Sequence, residues 1–226
     1  MNIKYFLLVS FLIINLSAIS QNEINQFDGQ GNRHGVWVKM FEDSTQIRYK
    51  GAFHHGKEIG VFNYYCSDCK DRPIIIKTFN EQDNTAQVVY FTKKGKLVSE
   101  GTMEGKNRIG EWVYYHKKAK SVMTKEYYVE GKLDGVKTTY YLNQKVAEVV
   151  TYKIGIKDGM NNYYSPDGIL LKKLFYKNDQ LEGKALHYNA NGDIIIDGYY
   201  KNGRKDGTWK YYNDGKLLKE ETFPKS

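Results

Sequence analysis

The sequence predicts an all-β protein: tandem β-hairpins joined into one elongated, twisted antiparallel meander. Three observations carry this. Glycines recur at a spacing of about 24 residues, a short period that marks an array built from one supersecondary unit; they are Gly35, Gly60, Gly110, Gly135, Gly159, Gly183 and Gly207. Between them, Asn/Asp/Gly turn signals alternate with short runs of strand-forming residues. Helical periodicity is absent beyond the first 20 residues.

Residues 1–20 stand apart. Lys4 gives a short positive start, Tyr5 to Leu16 is almost unbroken apolar sequence, and Ala18 and Ser20 place small residues before Gln21. This reads as a secretory signal peptide. The alternative is a permanent membrane anchor, for which the run is short against the ~20 residues a spanning helix needs. No cysteine follows the run, which argues against a lipid-anchored amino terminus. Residues 21–226 then form a single β-repeat domain of about eight units. Its expected location is the periplasm, the cell envelope or the medium.

One unit shows the grammar of all. In Asn202 to Glu221, Lys205-Asp206-Gly207 is a turn signal, with Gly207 free to take positive φ. Thr208 to Tyr212 is rich in strand formers, Asn213-Asp214-Gly215 is a short hairpin signal, and Lys216 to Glu221 is the return strand. Ser165-Pro166-Asp167-Gly168 and Asn189-Ala190-Asn191-Gly192 occupy the hairpin turn in other copies. The double step between Gly60 and Gly110 holds a degenerate copy near 80–100, with Ala86 in the glycine slot and Tyr90-Phe91 as its aromatic pair. Two strands per unit at ~4.8 Å spacing predict a ribbon on the order of 75 Å long.

Composition fits a thin, wet sheet. Aromatics make up 15% of the chain, with 20 tyrosines, which excludes an aromatic-poor disordered chain. The net charge of +8 comes from lysines spread through every unit among acidic residues, as on solvated strand faces. Attraction to an anionic lipid or glycan surface is the sharper reading of the same charge. Nucleic acid is not an expected partner of an exported protein.

Alternation along the strands sorts the aromatics by face. Two residues after each anchor glycine come Trp37, Phe62, Trp112, Lys137, Asn161, Ala185 and Trp209. Four after it, on the same face, come Lys39, Tyr64, Tyr114, Thr139, Tyr163, His187 and Tyr211. Five after it, on the other face, come Met40, Tyr65, Tyr115, Tyr140, Tyr164, Tyr188 and Tyr212. These rows read first as the stacking core. A single layer cannot bury both faces, so an aromatic row also reads as a docking surface. Trp37, Tyr64, Trp112, Tyr114, Tyr163, Trp209 and Tyr211 are the expected partner-binding residues.

Cys66-Ser67-Asp68-Cys69 lies in an enlarged hairpin turn. Two cysteines and no others in an exported chain point to a local disulfide. Free thiols, a redox pair and a zinc site remain as alternatives. His54-His55 lie a strand length away, roughly 25 Å at ~3.3 Å per residue, too far to complete a zinc site with the cysteines. His34 stands in a loop slot that holds Asp134, Asp158 and Asp206 in other copies, and a turn role is expected of it. No metal, cofactor or catalytic residue is expected, and no phosphate-binding glycine loop opens a helix.

The units resemble the MORN repeat (membrane occupation and recognition nexus), most closely its bacterial variant form. Tyr200, Gly203, Gly207, Trp209, Tyr211, Tyr212 and Gly215 match its pattern, as do Gly105, Gly110, Trp112, Tyr114 and Tyr115, and Tyr128, Gly131, Gly135, Tyr140 and Tyr141. The resemblance spans roughly residues 29 to 223. It implies a non-enzymatic scaffold that binds a protein partner, with an antitoxin-like or immunity-like role among its forms. A monomer is expected. The alternative is a module that binds membrane lipid or glycan.

Overall fold

The computed structural model describes residues 23–69 and 71–224; the leader expected over residues 1–20 lies outside them. The strands are β1 (Gln26–Phe27), β2 (Arg33–Met40), β3 (Ile47–His54), β4 (Lys57–Tyr64), β5 (Ile75–Phe79), β6 (Thr85–Phe91), β7 (Leu97–Glu104), β8 (Asn107–Tyr115) and β9 (Val122–Val129). They continue as β10 (Lys132–Leu133), β11 (Gly135–Tyr140), β12 (Val146–Lys153), β13 (Ile156–Tyr164), β14 (Leu170–Lys177), β15 (Gln180–Leu181), β16 (Gly183–Tyr188), β17 (Ile194–Lys201), β18 (Arg204–Asn213) and β19 (Lys216–Phe223). Among the described residues there is no helix, and all strands join one open antiparallel meander, each pairing with its neighbour in sequence. The short β10 and β15 are the first parts of the lines continued by β11 and β16. Asp134 N and Glu182 N donate across the breaks to Tyr127 O and Phe175 O, both at 2.9 Å.

The anchor glycines are not turn residues. Each lies inside a strand and has positive φ, for example 63° at Gly110 and 65° at Gly207. On one side Gly110 pairs regularly with Tyr128. On the other, Gly101 pairs with Trp112 and Thr102 with Ile109, so Gly110 and Glu111 bulge out of the ladder. A bulge bends its strand and increases its twist, and glycine takes the left-handed backbone it needs without a Cβ clash. The expected turn at Lys205-Asp206-Gly207 is therefore corrected: these residues lie within β18. The connecting turn falls on the preceding pair, Asn202 (φ 50°) and Gly203 (φ 77°). Two successive positive φ values define the tight hairpin turn whose twist matches the flanking strands. His55-Gly56, Glu130-Gly131 and Ile154-Gly155 repeat it.

The glycine slot also organises the next strand. Gly35, Gly60, Gly110, Gly135, Gly159, Gly183 and Gly207 face Phe53, Phe79, Tyr128, Tyr152, Tyr176, Tyr200 and Phe223. Each of these seven cross-strand partners is aromatic. In the degenerate unit Ala86 holds the slot and pairs with Met103.

Candidate interaction face

One line of residues, one per strand, crosses one face of the sheet, called the inner face below. It runs Trp37–Gly51, Phe62–Lys77, Val88–Gly101, Trp112–Glu126, Lys137–Val150, Asn161–Leu174, Ala185–Gly198 and Trp209–Glu221, each a direct cross-strand pair. The most buried side chains of the described residues belong to this spine: Trp112, Trp209, Phe62, Val88 and Asn161. The spacing rule finds every second member, at two residues past the anchor glycine. The members between them carry no such marker, and sequence reasoning missed them.

The missed members decide how the rings are seated. A Cβ on Gly101 would stand 2.4 Å from Cδ2 of Trp112. Gly51 has the same relation to Phe62, and Gly198 to Trp209. Each large ring thus lies flat on the bare backbone of the preceding strand, and its indole N–H reaches a carbonyl there: Trp112 Nε1 to Thr102 O and Trp209 Nε1 to Tyr199 O, both 3.0 Å. Where the ring is absent, the glycine is too. Leu174 stands before Ala185, Val150 before Asn161, and Glu126 before Lys137, the last pair closed by a 2.8 Å ion pair. The chemistry of the spine thus changes from a ring on bare glycine to aliphatic, amide and ion pairs.

The bulge supplies a lid for each of the three tryptophans. It folds the residue two before the glycine back over the residue two after it. The Arg108 guanidinium lies 4.6 Å from the Trp112 ring centre, and Lys205 Nζ lies 4.2 Å from that of Trp209. Arg33 stands 5.1 Å from both Trp37 and Phe53. These are cation–π contacts in which long apolar stems also cover the ring. The glycine seat below and the cation above bury Trp112 completely in a single-layer sheet, at 0% exposed.

A second line on the same face carries the tyrosines. It runs through Tyr49–Tyr64, Ile75–Tyr90, Ser99–Tyr114, Glu148–Tyr163 and Ile196–Tyr211. Their rings are partly exposed and their phenols are held. Arg108 donates to Tyr114 at 2.6 Å, Lys205 to Tyr211 at 2.9 Å and Asn161 to Tyr163 at 3.2 Å, while Tyr64 donates to Glu58 at 3.3 Å. Burial, with smaller contributions from neighbouring carboxylates, raises the Tyr64, Tyr114 and Tyr163 phenols above their ordinary range. In the same line His187 is pushed down by burial and by Lys172 and Lys205. At Glu126 burial alone would raise the carboxyl, but Lys137 and Tyr128 donate to it and hold it below its usual value.

The expected partner-binding residues therefore divide. Tyr64, Tyr114, Tyr163 and Tyr211 share one partly exposed line. Trp112 and Trp209 do not belong with them: buried between a glycine seat and a cationic lid, they offer no surface to a partner and serve the packing. Trp37 is partly buried, donates to Gln26 O at 3.0 Å and meets the edge of Phe27. Cys66 and Cys69 are joined through sulfur with Cα atoms 5.0 Å apart, in the turn between β4 and β5. Lys93 binds Asp68 of that turn at 2.8 Å. His34 lies in β2 rather than in a turn, beside His54 and His55.

No curated protein is significantly similar to this chain. Residues 157–178, 181–202 and 205–223 match the MORN repeat variant. Those boundaries follow the structural unit, each starting just before the anchor glycine and ending near the next connecting turn. Residues 157–223 of the observed meander thus carry three consecutive copies of the MORN repeat variant.

Proposed function

We propose that this protein is an exported, non-enzymatic repeat scaffold whose inner face binds a protein partner. The observation that carries the reading is the tyrosine line. Tyr64, Tyr114, Tyr163 and Tyr211 recur in one register, partly exposed, with each phenol already hydrogen-bonded. Rings fixed in place before binding lose little freedom on contact, which favours them as anchors. Their spread across the sheet suits an elongated partner rather than a small ligand. An immunity-like role in the cell envelope is the form of this activity that matches export. Replacing Tyr114 and Tyr163 together by alanine should weaken partner capture from envelope extracts while the far-UV circular dichroism spectrum stays unchanged. Undiminished capture would exclude this line as the docking face.

A second reading has its own observation. A hollow of about 540 Å³ at the turns after β6 and β8 is lined by Phe91 and Leu97 together with Lys96, Lys117, Lys118 and Lys120. That arrangement suits an anionic headgroup of lipid or glycan. Salt separates the two, because attraction between exposed charges fades as ionic strength rises while a packed aromatic interface persists. Binding to anionic vesicles that disappears at high salt, with no stoichiometric protein captured, would favour the second reading.

A further inference from the structure

Three imidazoles meet at one rim of the sheet. His34 lies in β2 and His54 ends β3, each one residue beyond the Gly35–Phe53 pair. His55 opens the tight turn that follows, and Gly56 N ties that turn to Arg33 O at 2.8 Å. The ring centres are 5.3 Å apart for His34 and His54, 5.1 Å for His34 and His55, and 4.4 Å for His54 and His55. One ligand nitrogen from each lies within 4.8 Å of the other two.

Two further features point to a cation. His34 Nδ1 is buried with no hydrogen-bond partner, which is costly unless something else satisfies it. His55 Nδ1 lies 2.6 Å from Asp28 Oδ2, and that carboxylate is only 8% exposed. Backbone N–H groups of Gln30 and Asn32 donate to Asp28 at 2.9 and 2.8 Å, fixing its direction. A carboxylate on Nδ1 sets the imidazole tautomer and leaves Nε2 with its lone pair free, as in the second coordination shell of metal-binding histidines.

We propose that His34, His54 and His55 bind a divalent transition-metal ion of the zinc type, with Asp28 as the residue that orients His55. Three imidazoles select borderline metals over Mg²⁺ or Ca²⁺, which prefer oxygen. At metal–nitrogen bonds of ~2.0–2.1 Å, tetrahedral ligands stand roughly 3.4 Å apart. His54 is exposed, so rotation of its side chain brings it toward the other two without moving β2 or β3, while Asp28 holds His55 in place. Three protein ligands leave a fourth position for water or for a side chain of a bound protein.

The test is titration of the untagged, chelator-stripped full chain with ZnCl₂ by calorimetry. Saturation at one Zn²⁺ per chain is expected, with a rise in the unfolding temperature. His54→Ala and His34→Gln should each weaken binding by about tenfold or more, and Asp28→Asn by about 10–100-fold. His54 is exposed, so the His54→Ala protein reports on the site even if the His34→Gln protein fails to fold. Cys66→Ser/Cys69→Ser should leave stoichiometry and affinity unchanged. No saturable Zn²⁺ binding, binding unaffected by His54→Ala, or binding lost in the cysteine variant would each overturn the proposal.

Discussion

The unit around Trp112 and the unit around Asn161 fill one structural slot with opposite chemistry. At Trp112 a bare glycine below and an arginine above enclose a large ring, and its one polar atom is satisfied. At Asn161 the neighbours are Val150 and Leu174, and an equally buried amide leaves Oδ1 unpaired. Both side chains are 0% exposed. The repeat therefore conserves the buried slot and the bend beside it, not the residue. Stability should be uneven along the array, since in a repeat protein each unit contributes its own packing and its contacts with two neighbours.

The largest expected effect is at the ring. Trp112→Ala should cost about 3–5 kcal/mol in urea unfolding, the range for emptying a large buried aromatic site. Asn161→Ala should cost under about 1 kcal/mol, because the lost contacts are offset by removal of an unpaired amide oxygen. Equal losses would show that the two slots are energetically alike and would break the comparison. Gly101→Ala should cost about 1–3 kcal/mol, since its Cβ would collide with the indole. Pairing Gly101→Leu with Trp112→Ala copies the Leu174–Ala185 arrangement and should recover much of the loss. A double-mutant cycle with no coupling would show that the two positions do not share one packing space.

The Glu126–Lys137 pair gives an intermediate, pH-dependent effect. Glu126 is held below its ordinary value in the folded chain, so its contribution is complete above the usual glutamate range and is lost as pH falls through the folded value. Lys137→Met leaves a largely buried carboxylate without its cation and should cost about 1–3 kcal/mol at neutral pH. That cost should shrink in acid, where Glu126 becomes protonated. A penalty independent of pH would mean that Lys137 acts through packing alone.

The smallest effects are gains. Asn161→Leu should stabilise by about 1 kcal/mol by removing the unpaired group. Ile154→Asn should add about 1 kcal/mol or less: Ile154 is exposed at 59% and holds φ at 52°, a backbone state in which a β-branched residue is strained. Thermal unfolding checks both, and a lower midpoint in either variant would contradict the assigned cause.

Much of this was legible in the residues alone. The 24-residue glycine period announces the array, and the turn residues announce hairpins, because both report local backbone requirements. Even the decayed copy, with Ala86 in the glycine slot, can be placed by spacing, and its pairing with Met103 agrees. The faces of the tyrosines follow from alternation. The position of the connecting turn does not, because Gly203 and Gly207 both favour positive φ, and only the ladder tells a turn from a bulge.

The sequence by itself determined the architecture of the described residues: all-β, in tandem hairpins, without a helix. These are local properties, set by period, turn chemistry and side-chain alternation. The tertiary structure alone decided which aromatics are core and which are surface. Trp112 and Tyr114 are two residues apart on the same face, yet one is sealed and the other partly open. The difference comes from Gly101 on the preceding strand and from Arg108 folded back by the bulge, and neither contact is a local property. The meeting of His34 with His54 and His55 has the same origin: cross-strand register joins residues 20 positions apart that no local pattern connects.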